Sequence, residues 1–134
     1  MPVIVVTRLR LRNADVNADF FNGSISVLEQ IKKTDGALDA DAFADVNDVW
    51  WTASAWRDRE AIQRFVHEEP HSSIMGKLDE WCNEASFVDW EQNSSDLPTW
   101  QESYRHLVLE GRASPLAHGT EANMTLDFPE PIAR

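Results

Sequence analysis

The chain has 134 residues, 43% of them hydrophobic, with 23 acidic against 12 basic side chains and a formal net charge of −11. That length suits one domain with a core of its own, and so acidic a surface argues against nucleic acid or an anionic membrane as partner, since both are drawn to concentrated positive charge. The lone cysteine, Cys82, cannot close an internal disulfide, which fits a cytoplasmic setting; the apolar start Val3-Ile4-Val5-Val6 is too short for a signal-peptide core, and no apolar run approaches a membrane span.

From Val3 to Arg12 the sequence alternates, with Leu9 and Leu11 on one face and Arg8, Arg10 and Arg12 on the other, which predicts a strand. Asn13 or Asp15 caps a helix marked by Val16, Phe20, Val27, Leu28 and Ile31 and stopped at Asp35-Gly36, with Gly23 a weak point in its middle. Residues 36–45 read as a second, weaker strand, and VWWTASAW after the turn Asn47-Asp48 as a third. Asp58 caps a helix with Ala61, Ile62, Phe65 and Val66 on one face. A further helical piece follows Pro70, with Ile74, Leu78, Trp81 and Cys82 on its apolar stripe and Cys82 an inert core thiol. ASFVDWE, residues 85–91, is the fourth strand, and Thr99 with Glu102 forms a capping box for a last helix that Gly111 closes. The final 23 residues read as loop, with a short strand expected over Met124 to Phe128. Residues 1–111 are thus the domain, and residues 112–134 an extension packed on it.

Strand, helix, strand, strand, helix, strand is the split βαβ order of the ferredoxin-like α+β fold: an antiparallel four-stranded sheet with helices on one face. The other face is expected to be bare and covered by a second copy of the chain. On the third strand the small Ala53 and Ala55 suit close helix packing. Trp50, Thr52, Ser54 and Trp56 are therefore expected to look into the space between two sheets, together with Arg8 and Arg10.

His67-Glu68-Glu69-Pro70-His71 satisfies the H-E-x-x-H pattern of zinc proteases. Zinc chemistry needs both histidines on one continuous helix, and Pro70 breaks it, so they are expected on different elements. Asp39, Asp41, Asp45 and Asp48 lack the Gly and Glu that a calcium loop requires and read as a solvated edge strand. His106 and His118 have no partner at suggestive spacing. No nucleophile elbow, P-loop or dinucleotide fingerprint is present.

Several pieces together carry a resemblance: Ser54-Ala55-Trp56, Phe65, His71, Pro98-Thr99-Trp100-Gln101-Glu102, Gly111, Ser114-Pro115 and Phe128-Pro129-Glu130-Pro131. The arrangement resembles the dimeric α/β-barrel superfamily, and within it a family of unassigned function related to the antibiotic-biosynthesis monooxygenases. The resemblance implies a homodimer with a cavity in each half that holds a small molecule. The haem-degrading relatives carry an Asn, a Trp and an iron-ligating His where this chain has Thr7, Phe65 and Met75, which speaks against haem degradation. The monooxygenases use Trp, Asn, Tyr and His to hold an acidic phenol without metal or flavin; Trp56 and His71 match two of these, and no Asn or Tyr falls on the expected strand faces.

The resulting expectation is a homodimer that binds a small aromatic or acidic molecule, with no cofactor and no metal. His71 acts as base, Trp50, Ser54, Trp56 and Trp90 line the cavity, and Arg8 anchors negative charge. Beside it stand two other readings: a non-catalytic module whose cavity is filled by its own side chains, with Trp56 as packing and His71 bonded to backbone, and haem binding through His67 or His71.

Overall fold

The computed structural model of the protein describes residues 1–114, 116, 119–126 and 128–132. Along the chain run β1 (Val3–Leu11), a 3-10 turn (Ala14–Val16), α1 (Asn17–Lys33), β2 (Ala37–Ala44), β3 (Val49–Trp56), α2 (Arg59–His67), α3 (His71–Met75), α4 (Leu78–Trp81), β4 (Cys82–Glu91), α5 (Trp100–Glu110), β5 (Arg112–Ala113) and α6 (Glu121–Thr125). The strands form one antiparallel sheet in the order β2-β3-β1-β4-β5, the ferredoxin-like order with an added two-residue edge, so the sheet has five strands rather than four.

Local chemistry sets most of the boundaries. The Asn13 side chain accepts from the Asp15 N–H at the 3-10 turn, Asp58 from the Ala61 N–H at α2, and Thr99 from the Glu102 N–H at α5. Gly36 ends the α1 turn with φ +96°, and a Cβ there would lie 2.5 Å from Ala61 Cβ, so both its backbone angle and its packing require glycine. Gly23, the expected weak point of α1, has a packing role. A Cβ there would sit 3.3 Å from both Ile74 and Trp81, so the missing side chain lets the α3–α4 layer approach α1. At the β2–β3 turn, Asp45 accepts from the N–H groups of Asn47 and Val49 and from Trp51 Nε1. Asp39 and Asp41 accept from the N–H groups of Ala40 and Ala42 on the edge strand, which blunts that edge toward a foreign strand.

Three expectations about local structure fail for identifiable reasons. The helical piece after Pro70 is two short helices, and Cys82 is fully buried as the first residue of β4, which therefore starts three residues before Ala85. The strand expected over Met124 to Phe128 is the helix Glu121–Thr125, because Thr120 Oγ1 accepts from the Asn123 N–H and initiates a turn. Asp127 of that stretch, Pro115 of the Ser-Pro pair and His118 lie outside the described residues.

The largest correction concerns the sheet faces. Ile4, Val6, Trp51, Ala53, Ala55 and Val88 form one continuous core under Leu107, Trp100 and Tyr104 of α5 and under Phe128. The alanines of β3 thus do receive a helix, namely α5, whereas the face of Trp50, Thr52, Ser54 and Trp56, expected to be bare, is covered by the chain's own earlier helices. That face carries α1 to α4, packed through two separate clusters: Val3, Trp56, Ala61 and Phe65 at one end, and Val16, Phe20, Trp81 and Cys82 at the other.

Candidate functional site

Cross-strand partners in an antiparallel sheet share a face, so the register sorts the side chains. On the face under α5, Ile4, Val6, Arg8, Trp51, Ala53, Ala55, Ser86 and Val88 are each at most 3% exposed. On the face under α1 to α4, the central positions Val5, Thr7 and Leu9 of β1, Trp50, Thr52 and Ser54 of β3 and Phe87 of β4 all keep partial exposure. The same holds for Ala40, Ala42 and Ala44 of β2, which pair with Ser54, Thr52 and Trp50. An incompletely covered groove therefore runs between the two clusters of the helix side.

Its floor is polar where a helix-covered sheet is ordinarily apolar. The hydroxyls of Thr7 and Thr52 form a short hydrogen bond, and Ser54 Oγ accepts from Trp56 Nε1 at 2.8 Å. Three hydroxyls on neighbouring strands give both donors and acceptors to a guest that displaces their mutual bonds. Aromatic rings close the ends. Trp56 meets Phe65 at 5.0 Å between ring centres and Phe65 meets His71 at 4.5 Å, both tilted, while Phe20 lies 5.6 Å from Trp50 and 6.1 Å from Trp81.

His71 starts α3, and His67 ends α2 exposed, so the two histidines of the H-E-x-x-H pattern stand on different elements. The His71 N–H donates to Gln30 Oε1 at 2.8 Å, and its Nδ1 lies 3.3 Å from the Val66 carbonyl, which fixes Nδ1 as the protonated nitrogen of the neutral ring. Burial lowers its pKa below the usual histidine value, against the opposing pull of the Val66 carbonyl.

The two flanks of α1 differ. Gly23 and Gln30 face α2 to α4, Gln30 donating to the Phe65 carbonyl at 2.9 Å. On the opposite flank Phe21, Ile25 and Leu28, spaced i, i+4 and i+7, are exposed by 53%, 42% and 38%. Phe21 overlooks the β2 side, where Leu11, Asn17, Ala18, Ala44, Asp48 and Trp50 join it around a cleft of about 350 Å³ at the Trp50 end of this face.

The structure thus brings Trp50, Ser54, Trp56 and His71 to one side of the sheet, but that side faces helices, not a second sheet. Arg8 and Trp90 lie on the opposite face and cannot share a cavity with them. The cause is alternation: Arg8 pairs with Trp51 and with Ser86, and Trp90 with Ile4, all residues of the α5 side. Arg8 donates to Glu84 at 2.5 Å, Arg10 donates to the same carboxylate at 2.9 Å, and the Arg8 guanidinium lies 4.0 Å from the Phe128 ring centre. Burial alone would raise the Glu84 pKa, yet hydrogen bonds from Arg8 and Arg10 hold it below the usual glutamate value. Arg8 Nε and Ser86 Oγ are buried without a hydrogen-bond partner. Trp90 stacks on His106 at 3.7 Å between ring centres and donates from Nε1 to Gln92. Sequence reasoning missed Phe21, Asp48 and the alanine row; the signal was the Ala-x-Ala-x-Ala alternation of residues 40–44, which puts the narrowest side chains along one face.

Among the described residues, no three His, Cys, Asp or Glu side chains are gathered as a metal site, and no helix is long and apolar enough to cross a membrane. The fold is found in solved structures. A conserved protein from Methanosarcina mazei is similar with a TM-score of 0.63 and 16% identity, covering 69% of this chain and 94% of that one. SnoaB, a cofactor-independent oxygenase from Streptomyces nogalater, gives 0.59 and 14%, covering 73% and 98%. A structure described as an antibiotic biosynthesis monooxygenase gives 0.61 and 13%, covering 69% and 99%. The chain therefore has the fold of the antibiotic-biosynthesis monooxygenases and their ferredoxin-like relatives. No curated protein matches it. Residues 8–119 match the domain of unknown function DUF3291, and the chain is a member of that family.

Proposed function

We propose that the protein binds a small, flat, largely apolar molecule in the groove between its sheet and the α1–α4 layer. The observation that carries this reading is the contrast between the two sheet faces. One is buried along its central strands; the other keeps the hydroxyls of Thr7, Thr52 and Ser54 partly open between two aromatic clusters. A peptide added as a strand is the less suitable guest, because Asp39 and Asp41 occupy N–H groups of the adjoining edge. The alanines of β2 give a flat body lateral room, and the hydroxyl row fits a guest with an alcohol, phenol or carbonyl oxygen.

The catalytic form of this reading takes its reaction class from the cofactor-independent oxygenase of the same fold. The chain would then oxidise a bound hydroxyaromatic with dioxygen. His71 is the wall group suited to accept a proton: its Nδ1 is held by Val66, and its lowered pKa keeps the ring neutral near pH 7, leaving the Nε2 lone pair available. The non-catalytic form is favoured by the same histidine, whose ring contact with Phe65 and two backbone-level hydrogen bonds already give it a structural task. A homodimer belongs to both forms. The face expected to need a second copy is already covered by α1 to α4 of the same chain, so light scattering on the purified protein decides the assembly independently of ligand.

The test is titration with 2-naphthol, followed by tryptophan fluorescence and calorimetry. Saturable binding that Ala42→Leu abolishes and Thr52→Val weakens supports the groove. Binding untouched by Ala42→Leu, in a variant shown to be folded, overturns it. Oxygen uptake with bound hydroxyaromatics, lost in His71→Ala, then separates the catalytic form from the other.

A further inference from the structure

We propose that the protein carries a second binding site, on the α5 side of the sheet, where Arg8 Nε and Ser86 Oγ hold the carboxylate of a small aromatic acid among the rings of Trp51, Tyr104 and Phe128. The site is separate from the groove on the helix side and does not depend on it. Arg8 and Ser86 are each 3% exposed, yet Arg8 Nε and Ser86 Oγ are both without a hydrogen-bond partner. The two residues are direct cross-strand partners on β1 and β4, so their side chains leave the sheet side by side on one face. A guanidinium N–H and a hydroxyl left unpaired in the interior are costly, and set together they supply the two donors that one carboxylate accepts.

The charges are those an acid needs. Two guanidiniums share the single carboxylate of Glu84, Arg8 donating from Nη1 to Oε1 and Arg10 to Oε2, so the cluster keeps one net positive charge. Asp45, the other buried carboxylate among the described residues, is occupied by the N–H groups of Asn47 and Val49 and by Trp51 Nε1. Above the arginine, the rings of Trp51, Tyr104 and Phe128 stand 6.2 to 6.5 Å apart in pairs, and Phe128 lies on the guanidinium at 4.0 Å. A ring on the face of an arginine and a carboxylate at its edge together grip a planar acid. Trp51 is fixed on β3 and Tyr104 on α5, but Phe128 comes from a segment without helix or strand. That segment follows Leu126, whose φ of 56° lies in the left-handed region that leucine rarely adopts. Phe128 is therefore the wall that turns aside and gives its place to the ring of the guest.

The experiment titrates benzoate and benzyl alcohol into the full chain by calorimetry, comparing the wild type with Ser86→Ala, Phe128→Leu and Thr52→Val. Benzoate should bind saturably and roughly ten-fold more tightly than the alcohol. Ser86→Ala removes one donor and keeps a small side chain in the strand, so it should remain folded and weaken benzoate about five-fold or more. Phe128→Leu clears part of the ring's place and should strengthen binding. Benzoate that binds neither the wild type nor Phe128→Leu overturns the site. So does binding unaltered in Ser86→Ala, the two unpaired atoms then serving a buried water only. Binding lost in Thr52→Val but kept in Ser86→Ala puts the acid in the helix-side groove, which leaves that reading standing and overturns this one.

Discussion

Truncating Trp56 tests whether the aromatic end of the groove is core or ligand wall. The side chain is 1% exposed, contacts Phe65 at 5.0 Å between ring centres, and packs with Val3 and Ala61. Trp56→Ala removes a large buried aromatic surface, and such truncations cost about 3–5 kcal/mol because the surrounding structure closes only part of the cavity. Loss of the 2.8 Å bond from Nε1 to Ser54 Oγ adds about 1 kcal/mol at most, since Ser54 is half-buried and regains water. For a 134-residue chain the entropy of unfolding is about 0.28 kcal/mol per degree, so a total of about 3–6 kcal/mol should lower the melting temperature by roughly 11–21 °C. Circular dichroism against temperature, with urea titration to confirm an unchanged slope, gives the number. Trp56→Phe, which keeps most of the packing, should lose less than half as much. A Trp56→Ala protein that melts within about 3 °C of wild type but no longer binds 2-naphthol would refute the reasoning and make the residue a ligand contact first.

Other expectations follow from the same contacts. The folded pKa of His71 lies below its unfolded value near 6.5, so the stability it contributes is fully present above that pH and is lost as pH falls through the folded value; His71→Phe should flatten the loss of stability that sets in below about pH 6.5, measured by urea midpoints. Burial pushes the Cys82 thiol up to about 12, so the native protein should react with a disulfide reagent only as fast as it opens, and the rate should rise with denaturant. Glu84→Gln leaves two arginines with a neutral partner, one of them buried, and should cost about 3–5 kcal/mol; a loss under about 1 kcal/mol would mean the pair is effectively solvated. Gly36→Ala forces a side chain into φ +96° and against Ala61, and should destabilise by about 2–4 kcal/mol, visible as a lower melting temperature.

Elements whose signals are local could be read from the sequence. VWWTASAW is β3 over Val49–Trp56, and Asp58 and Thr99 cap their helices through the bonds that their side chains suggest. Alternation also separated the two sets of β3 residues. What it left undecided was which set meets α1 to α4, because both contain tryptophan and apolar neighbours. The alanines fitted a helix, and no local signal says which of two helical layers arrives on which side. That depends on α5, which crosses back over the sheet after residue 99. The candidate site suffered accordingly: Trp50, Ser54, Trp56 and His71 kept company, while Arg8 and Trp90 were lost to the far face. The alanine row of β2 and the flank of α1 become a groove only when brought together in space, which neither stretch announces alone.

The unequal packing of the two faces has a bearing on motion. On the α5 side a single uninterrupted core ties the central strands to Leu107 and Phe128, so those amides should open only with the whole molecule. On the other side α1 is held through two separate clusters, one at Phe20 and one at Val27 and Ile31, with Gly23 between them set close against Ile74 and Trp81. Strands behind one core can give way only as a whole, whereas a face with two can loosen at one cluster while the other stays closed, so partial opening of the regular elements belongs to the helix side.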